Sequence, residues 1–256
     1  MRAKKSYGQH FLINTSIAQR IAGSLTSFGN YRHVLEIGPG KGMLTRFLLE
    51  APYELLAVEA DADMVEYQRE HYPQTQVVHA DFLRLPLKNY FDGESFALIG
   101  NFPYNISSQI LIKMLEHRDR IPELVGMFQR EVAERVVAPP GNKDYGVISV
   151  LVQAYYEGKY LFGVDRRNFA PPPKVQSGVI RLQRREQPLV TQHGDTFRKV
   201  VKQAFSQRRK MLRNTMKEWL KGDPRLETPF FQQRPEQLSV TDFVQLTDWV
   251  IEKQTH

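Results

Sequence analysis

Ile17, Ile21 and Leu25 recur every four residues, the spacing of an amphipathic helix, and the apolar run His33–Ile37 behind them is short enough to be a strand. An alternation follows. Strand-like Leu55–Glu59, Gln76–His79, Phe96–Gly100 and Leu124–Phe128 are separated by helix-like Leu44–Glu50, Asp61–His71, Ser107–Glu116 and Glu131–Ala138. Strands alternating with helices predict an α/β domain whose mostly parallel sheet is covered on both faces. Past the break at Pro139–Gly141, Tyr145–Tyr156 reads as a buried helix. Lys159–Val164 and Val175–Leu182 flank a proline-rich elbow, Ala170–Lys174, as an antiparallel edge hairpin. Beyond about Arg185 the pattern turns to short helices, Thr196–Phe205, Arg208–Leu220 and Thr241–Glu252, the last with Ser239 or Thr241 as N-cap. The division expected is an α/β domain over 1–188 and a small all-α domain over 189–256.

Composition narrows the setting. With 256 residues, 41% hydrophobic and 25% charged, the chain is long enough for a catalytic core plus an appendage and is neither collagenous nor low in complexity. It has no cysteine, so disulfides, thiolate nucleophiles and cysteine-ligated metals are excluded, and no metal is called for otherwise. No apolar run approaches the roughly 20 residues needed to span a bilayer, and the basic N-terminus does not lead into a signal-like segment. A cytoplasmic, non-membrane protein is expected. The net charge of +7 adds an attraction for polyanions such as nucleic acid.

Candidate chemistry begins at the tip of the first long strand, where Glu36 precedes glycines 38, 40 and 42. Dinucleotide sites use G-x-G-x-x-G, whereas this loop has glycine at every second position and an acid two places ahead. A pyrophosphate disfavours a nearby carboxylate, while a sulfonium cofactor with an amino-acid moiety is cationic. Glu36 therefore points to S-adenosylmethionine rather than a nicotinamide, with Gly38 and Gly40 allowing close approach. Glu59 ends the next strand, where ribose hydroxyls would lie, and Asp81 follows the third, placed to accept from an adenine amino group. Their neighbours Ala60 and Phe82 join the candidate set.

The fourth strand ends in Asn101-Phe102-Pro103-Tyr104. The exocyclic amine of adenine is a weak nucleophile because its lone pair is delocalised into the ring, so an enzyme methylating it must draw it toward tetrahedral geometry with hydrogen-bond acceptors. The Asn101 side-chain oxygen and the Phe102 carbonyl are the candidate acceptors. Pro103 stiffens the turn and Tyr104 offers a face for an extruded base. Phe169, beside Pro171–Pro173, is a candidate second aromatic wall, against the plainer reading of a core anchor.

Taken together, Tyr7–Leu12, Glu36–Gly42, Asn101–Tyr104, Phe169–Ser177 and the A-F-S-Q-R-R-K stretch Ala204–Lys210 resemble the ribosomal RNA adenine N6-dimethyltransferases, over about residues 6–220. The bacterial small-subunit (16S) members are most similar; large-subunit relatives generally lack the Ala204–Lys210 stretch. The resemblance implies a Rossmann-like class I methyltransferase fold with a seven-stranded, mostly parallel sheet, and dimethylation of two adjacent adenines in a hairpin loop near the 3′ end of 16S rRNA. It places Gln9, His10 and Leu12 along the cofactor with Gly38, Glu59 and Asp81, and Asn101 and Tyr104 at the target base. His10 stands where many members have Asn, and Phe102 where Leu is usual.

Between Arg198 and Lys217 lie eight basic residues and no acid. Such a run can be a solvated helix face, but unneutralised charge beside an RNA chemistry reads as phosphate contact, with Arg198, Lys202, Arg208, Arg209, Lys210 and Arg213 as candidates. The partner expected is 16S rRNA in an assembling small subunit, bound by a monomer. An assembly factor acting by occupancy is the competing reading.

Overall fold

A computed structural model describes residues 10–255. They divide into two compact units, the described residues up to Ala133 with Gly158–Arg184, and Glu134–Glu157 with Arg185 onward. The division at 188/189 read from the sequence keeps Glu134–Glu157 with the strands, whereas here that stretch goes with the C-terminal helices. Its hydrogen bonds explain why: Arg185 Nε donates to Gln153 O and Leu189 N to Ala154 O.

Among the described residues nine strands form, β1 Phe11–Leu12, β2 His33–Ile37, β3 Glu54–Glu59, β4 Gln76–His79, β5 Phe96–Asn101, β6 Glu123–Gln129, β7 Tyr156–Val164, β8 Phe169–Ala170 and β9 Ser177–Arg184. Seven make one sheet in the order β4-β3-β2-β5-β6-β9-β7. Every pair from β4 to β6 is parallel, and β9 joins β6 antiparallel with Gln129 opposite Ser177. The seven-stranded, mostly parallel sheet is therefore present. The two remaining strands, β1 and β8, pair with each other, Phe11 opposite Ala170 and Leu12 opposite Phe169.

The central strands β2, β5 and β6 read as unbroken apolar runs because both faces are buried, with Val34, Leu35, Ala97, Leu98, Ile99, Leu124 and Val125 inaccessible. Three helices of the first unit match their sequence spans closely. They are α1 Thr15–Ala22, whose N-cap Asn14 accepts from Ile17 N, then, after the short α2 Thr45–Leu48, α3 Ala62–His71, capped by Asp61, and α4 Ser107–Glu116. The segment Leu44–Glu50, expected as one helix, contracts to α2, because its flanking bonds, Phe47 N to Leu44 O and Ala51 N to Leu48 O, close turns tighter than α.

After α5 Arg130–Val137 comes α6 Val147–Gln153, the helix expected within Tyr145–Tyr156. The second unit continues with α7 Gly194–Ala204, α8 Leu212–Thr215, α9 Pro229–Gln232 and α10 Val240–Thr255. Its core joins Phe197, Val200, Val201 and Ala204 of α7 to Phe243, Leu246 and Val250 of α10. A reciprocal cap, Asp242 N to Ser239 Oγ and Ser239 N to an Asp242 carboxylate oxygen, settles Ser239 as the start of α10. The long helix expected over Arg208–Leu220 is corrected to the four-residue α8. Extended Met211 interrupts it at one end, and turn bonds such as Trp219 N to Met216 O end it at the other.

Candidate active site

At the C-terminal tips of β2–β5 opens a cavity of about 460 Å³, lined among others by His10, Leu12, Glu36, Gly38, Gly40, Glu59, Ala60, Asp81, Phe82 and Asn101–Tyr104. Its position follows from topology, since parallel strands deliver their tips, and the loops that follow, to one edge of the sheet. Every described candidate for cofactor binding lies on this wall; Gln9 is outside the described residues.

The glycine loop takes left-handed backbone angles at Gly38 (φ 66), Gly40 (φ 52) and Gly42 (φ 74), where a side chain would be strained. It is braced from three sides. Glu59 accepts from Gly40 N at 3.2 Å and from Asp61 N at 3.0 Å, Gln68 Nε2 donates to Gly40 O at 2.9 Å, and the Phe11 ring lies against the bare Cα of Gly40. Thus Glu59, read as a ribose acceptor, also holds the loop. Burial pushes its pKa up, opposed by these backbone donors.

Glu36 is almost wholly buried, and burial pushes its pKa up to about 8, with Glu59 adding repulsion and the Thr45 hydroxyl, donating at 2.7 Å, acting against both. A buried carboxyl beside a glycine loop suits a cationic ligand group entering the cavity. Asp81 caps the 3-10 turn Phe82–Arg84 through Leu83 N and stays at the solvent edge.

At the other end of the cavity Asn101 Nδ2 donates to the His10 carbonyl at 3.0 Å, so its oxygen is left for another donor. His10 Nδ1 donates to Pro171 O at 2.9 Å, and its ring stacks on that of Tyr104 with centroids 5.7 Å apart. The Tyr104 hydroxyl meets Ser177 Oγ at 2.5 Å. Burial raises the Tyr104 pKa, keeping the phenol neutral. Phe102 turns its ring away from the cavity mouth, 1% exposed and edge-on to Phe128.

Phe169 departs from the second-wall expectation. Its ring is 2% exposed in the core cluster with Leu12, Val164 and Val179, because β8 pairs with β1 and turns it inward. Among the basic candidates of the helical unit, Lys202, Arg209, Lys210 and Arg213 are exposed. Arg208 is exposed as well, and its guanidinium also donates to Lys143 O and to Tyr145 O. Arg198, on α7, is half-buried. Residues that sequence reasoning left without a role are Thr45, Gln68, Lys113 and Ser177. Ser177 ended a quoted motif, and Lys113 stood as a charge on an apolar helix face.

The set fits S-adenosylmethionine: an acid and a bare glycine loop for its amino-acid end, Glu59 for the ribose and Asp81 with Phe82 for the adenine, all on one cavity of suitable volume. Comparison with known proteins agrees. The family model described as ribosomal RNA adenine dimethylase matches residues 1–251. The chain is 49% identical over 251 residues to ribosomal RNA small subunit methyltransferase A of Cytophaga hutchinsonii, covering 97% of each chain. It is also 49% identical over 249 residues to the protein of that name in Flavobacterium johnsoniae, covering 96% of this chain and 95% of that one. Among solved structures, a dimethyladenosine transferase from Plasmodium falciparum superposes with a TM-score of 0.77 at 27% identity, covering 96% of this chain and 98% of that one. The 23S rRNA methyltransferase ErmE gives 0.73 at 26% identity over 94% and 99%. With the glycine loop, the Asn101–Tyr104 tip and the whole-length match in agreement, the chain belongs to the ribosomal RNA adenine dimethylase family.

Proposed function

We propose that this enzyme transfers methyl groups from S-adenosylmethionine to N6 of two adjacent adenines in a hairpin loop near the 3′ end of 16S rRNA, within an assembling small subunit. Two relatives at 49% identity carry the small-subunit name, whereas the large-subunit enzyme ErmE stands at 26%, and this gap supports the choice of subunit. The substrate places the work in the cytoplasm; among the described residues no helix is long and apolar enough to cross a membrane.

The observation that carries the mechanism is the Asn101 amide held by the His10 carbonyl. When bound, the cofactor supplies an electrophilic methyl on a sulfonium. Tyr104, fixed at its hydroxyl by Ser177 and on one side by His10, presents a ring on which the extruded base stacks. The Asn101 oxygen and the Phe102 carbonyl accept the two N6 hydrogens and favour a pyramidal nitrogen whose lone pair points at the methyl carbon, about 3 Å away for a productive approach. Attack would form the N–C bond as the methyl's bond to sulfur breaks, the sulfur keeping the electron pair as a neutral thioether, and the cationic product nitrogen would lose a proton to water. One N6 hydrogen then remains, so a single acceptor suffices to orient the second transfer. Acceptors and placement carry the catalysis, and no proton-abstracting base is required.

The test is to incubate the protein and radiolabelled S-adenosylmethionine with small subunits lacking their native modifications, and to map the label by nuclease digestion and mass spectrometry. Dimethyladenosine at adjacent positions near the 3′ end is expected. Tight subunit binding with no label would favour the assembly-factor reading, and label on large-subunit RNA would reassign the substrate.

A further inference from the structure

Lys113 lies on the inward face of α4 among Ile110, Leu111 and Met114, and is only 8% exposed. A buried ammonium is costly unless each of its hydrogens finds an acceptor. Here three backbone carbonyls do so: Phe82 O at 2.6 Å, Leu83 O at 3.0 Å and Leu85 O at 2.6 Å. All three belong to the short turn after Asp81, where Phe82 O also accepts from Leu85 N, closing the 3-10 turn. The ammonium also lies 5.1 Å from the centre of the Phe82 ring, on the face-seeking side of a cation–π contact. Desolvation lowers the Lys113 pKa, while Asp81 and Glu116 counter it. A neutral side chain of this length offers at most two donors, so the three-carbonyl grip is particular to an ammonium or a guanidinium.

Asp81 and Phe82 line the cavity that Lys113 itself does not reach. We propose that Lys113 is a positioning residue for cofactor binding, its ammonium clamping the Asp81–Leu85 turn so that Asp81 and Phe82 meet the adenine of the nucleoside. The assignment rests on the reading that these two residues face that adenine. A clamp on one end of the cofactor acts on affinity, not on the methyl-transfer geometry set at Asn101 and Tyr104.

The experiment is a coupling cycle on the full-length chain with S-adenosylhomocysteine as the probe, measured by calorimetry. Lys113→Met keeps length and helix propensity while removing all donors, and is expected to weaken binding about tenfold. Lys113→Arg restores most of it. Turnover at saturating S-adenosylmethionine and the KM for RNA stay within about twofold of wild type, since neither depends on the turn. In an Asp81→Ala background the same Lys113→Met step has little left to remove, so the two effects are strongly non-additive. A purely structural lysine would lower the melting temperature yet add independently to Asp81→Ala, and that result overturns the proposal. So does a parallel loss of kcat and RNA affinity. If Lys113→Met does not fold, Lys113→Gln, with one short donor group, carries the same comparison. Unchanged affinity in Asp81→Ala alone overturns the adenine assignment and the proposal together, whereas weakened Asp81→Ala with wild-type Lys113→Met overturns only the proposal.

Discussion

Glu36 sits under the glycine loop with the Thr45 hydroxyl as its donor, and its pKa of about 8 has a thermodynamic consequence. In the unfolded chain this carboxyl titrates at its ordinary 4.5, so between pH 4.5 and 8 the folded chain binds more protons than the unfolded one. Stability from this residue is therefore full below about pH 4.5, falls as the pH rises toward 8 and is flat above it. Glu36→Gln keeps the acceptor for Thr45 without the charge. Its unfolding free energy in the absence of cofactor, from denaturant titration, should exceed that of wild type at pH 8.5 by an amount on the order of a few kcal/mol and converge with it near pH 5. A constant difference across that range would remove the buried carboxyl from the account. The acids at the strand tips were legible in the sequence because each lies within two residues of its strand's C-terminal end. Thr45 was not, since a hydroxyl nine residues on is one of many until a turn brings it back, and Ser177 meets Tyr104 across 73 positions.

Between strands, the informative feature is a gap. Gly100 of β5 stands directly opposite Gly126 of β6, and the Phe102 ring fills the space that their missing side chains leave. A Cβ at Gly126 would come within 2.1 Å of Phe102 Cε2 and 2.9 Å of Phe128 Cε2. Position 102 can therefore carry a phenyl ring in place of Leu without disturbing the carbonyl proposed to accept from N6. Gly126→Ala should cost about 1–3 kcal/mol in a denaturant titration, as overpacking does, and adding Phe102→Leu should recover part of it. An additive pair of losses would show that the two sites do not share the gap. Elements with a strong period, such as α1, α3 and α4 and the central strands, were readable from the chain. The Leu44–Glu50 and Arg208–Leu220 spans were overdrawn because apolar spacing alone does not distinguish a run of turns from a helix. Phe169 was misplaced for a related reason: a ring beside prolines gives no sign of which strand will pair with its backbone.

Across the molecule, the excess of positive charge has its densest stretch in the helical unit, where Lys202, Arg208, Arg209, Lys210 and Arg213 stand exposed, Arg208 also donating to two backbone carbonyls. Reversing Arg209 and Lys210 to Glu, and leaving Arg208 in place, should weaken RNA binding and reduce the slope of log K against log salt by about 0.7 per lost phosphate contact on single strands. A binding titration across a salt series reads this directly; an unaltered slope would return both residues to the role of solvated surface. The pairing of β1 with β8, and of Tyr104 with Ser177, bears on how the molecule is born. Synthesis runs from the N-terminus, and the residues proposed to seat the cofactor emerge before the strand that carries the partner of the Tyr104 hydroxyl. A chain that stops short of Ser177 lacks the partner of the Tyr104 hydroxyl. The ring that faces the candidate base site is thus steadied from a strand 73 positions further along the chain than the ring itself.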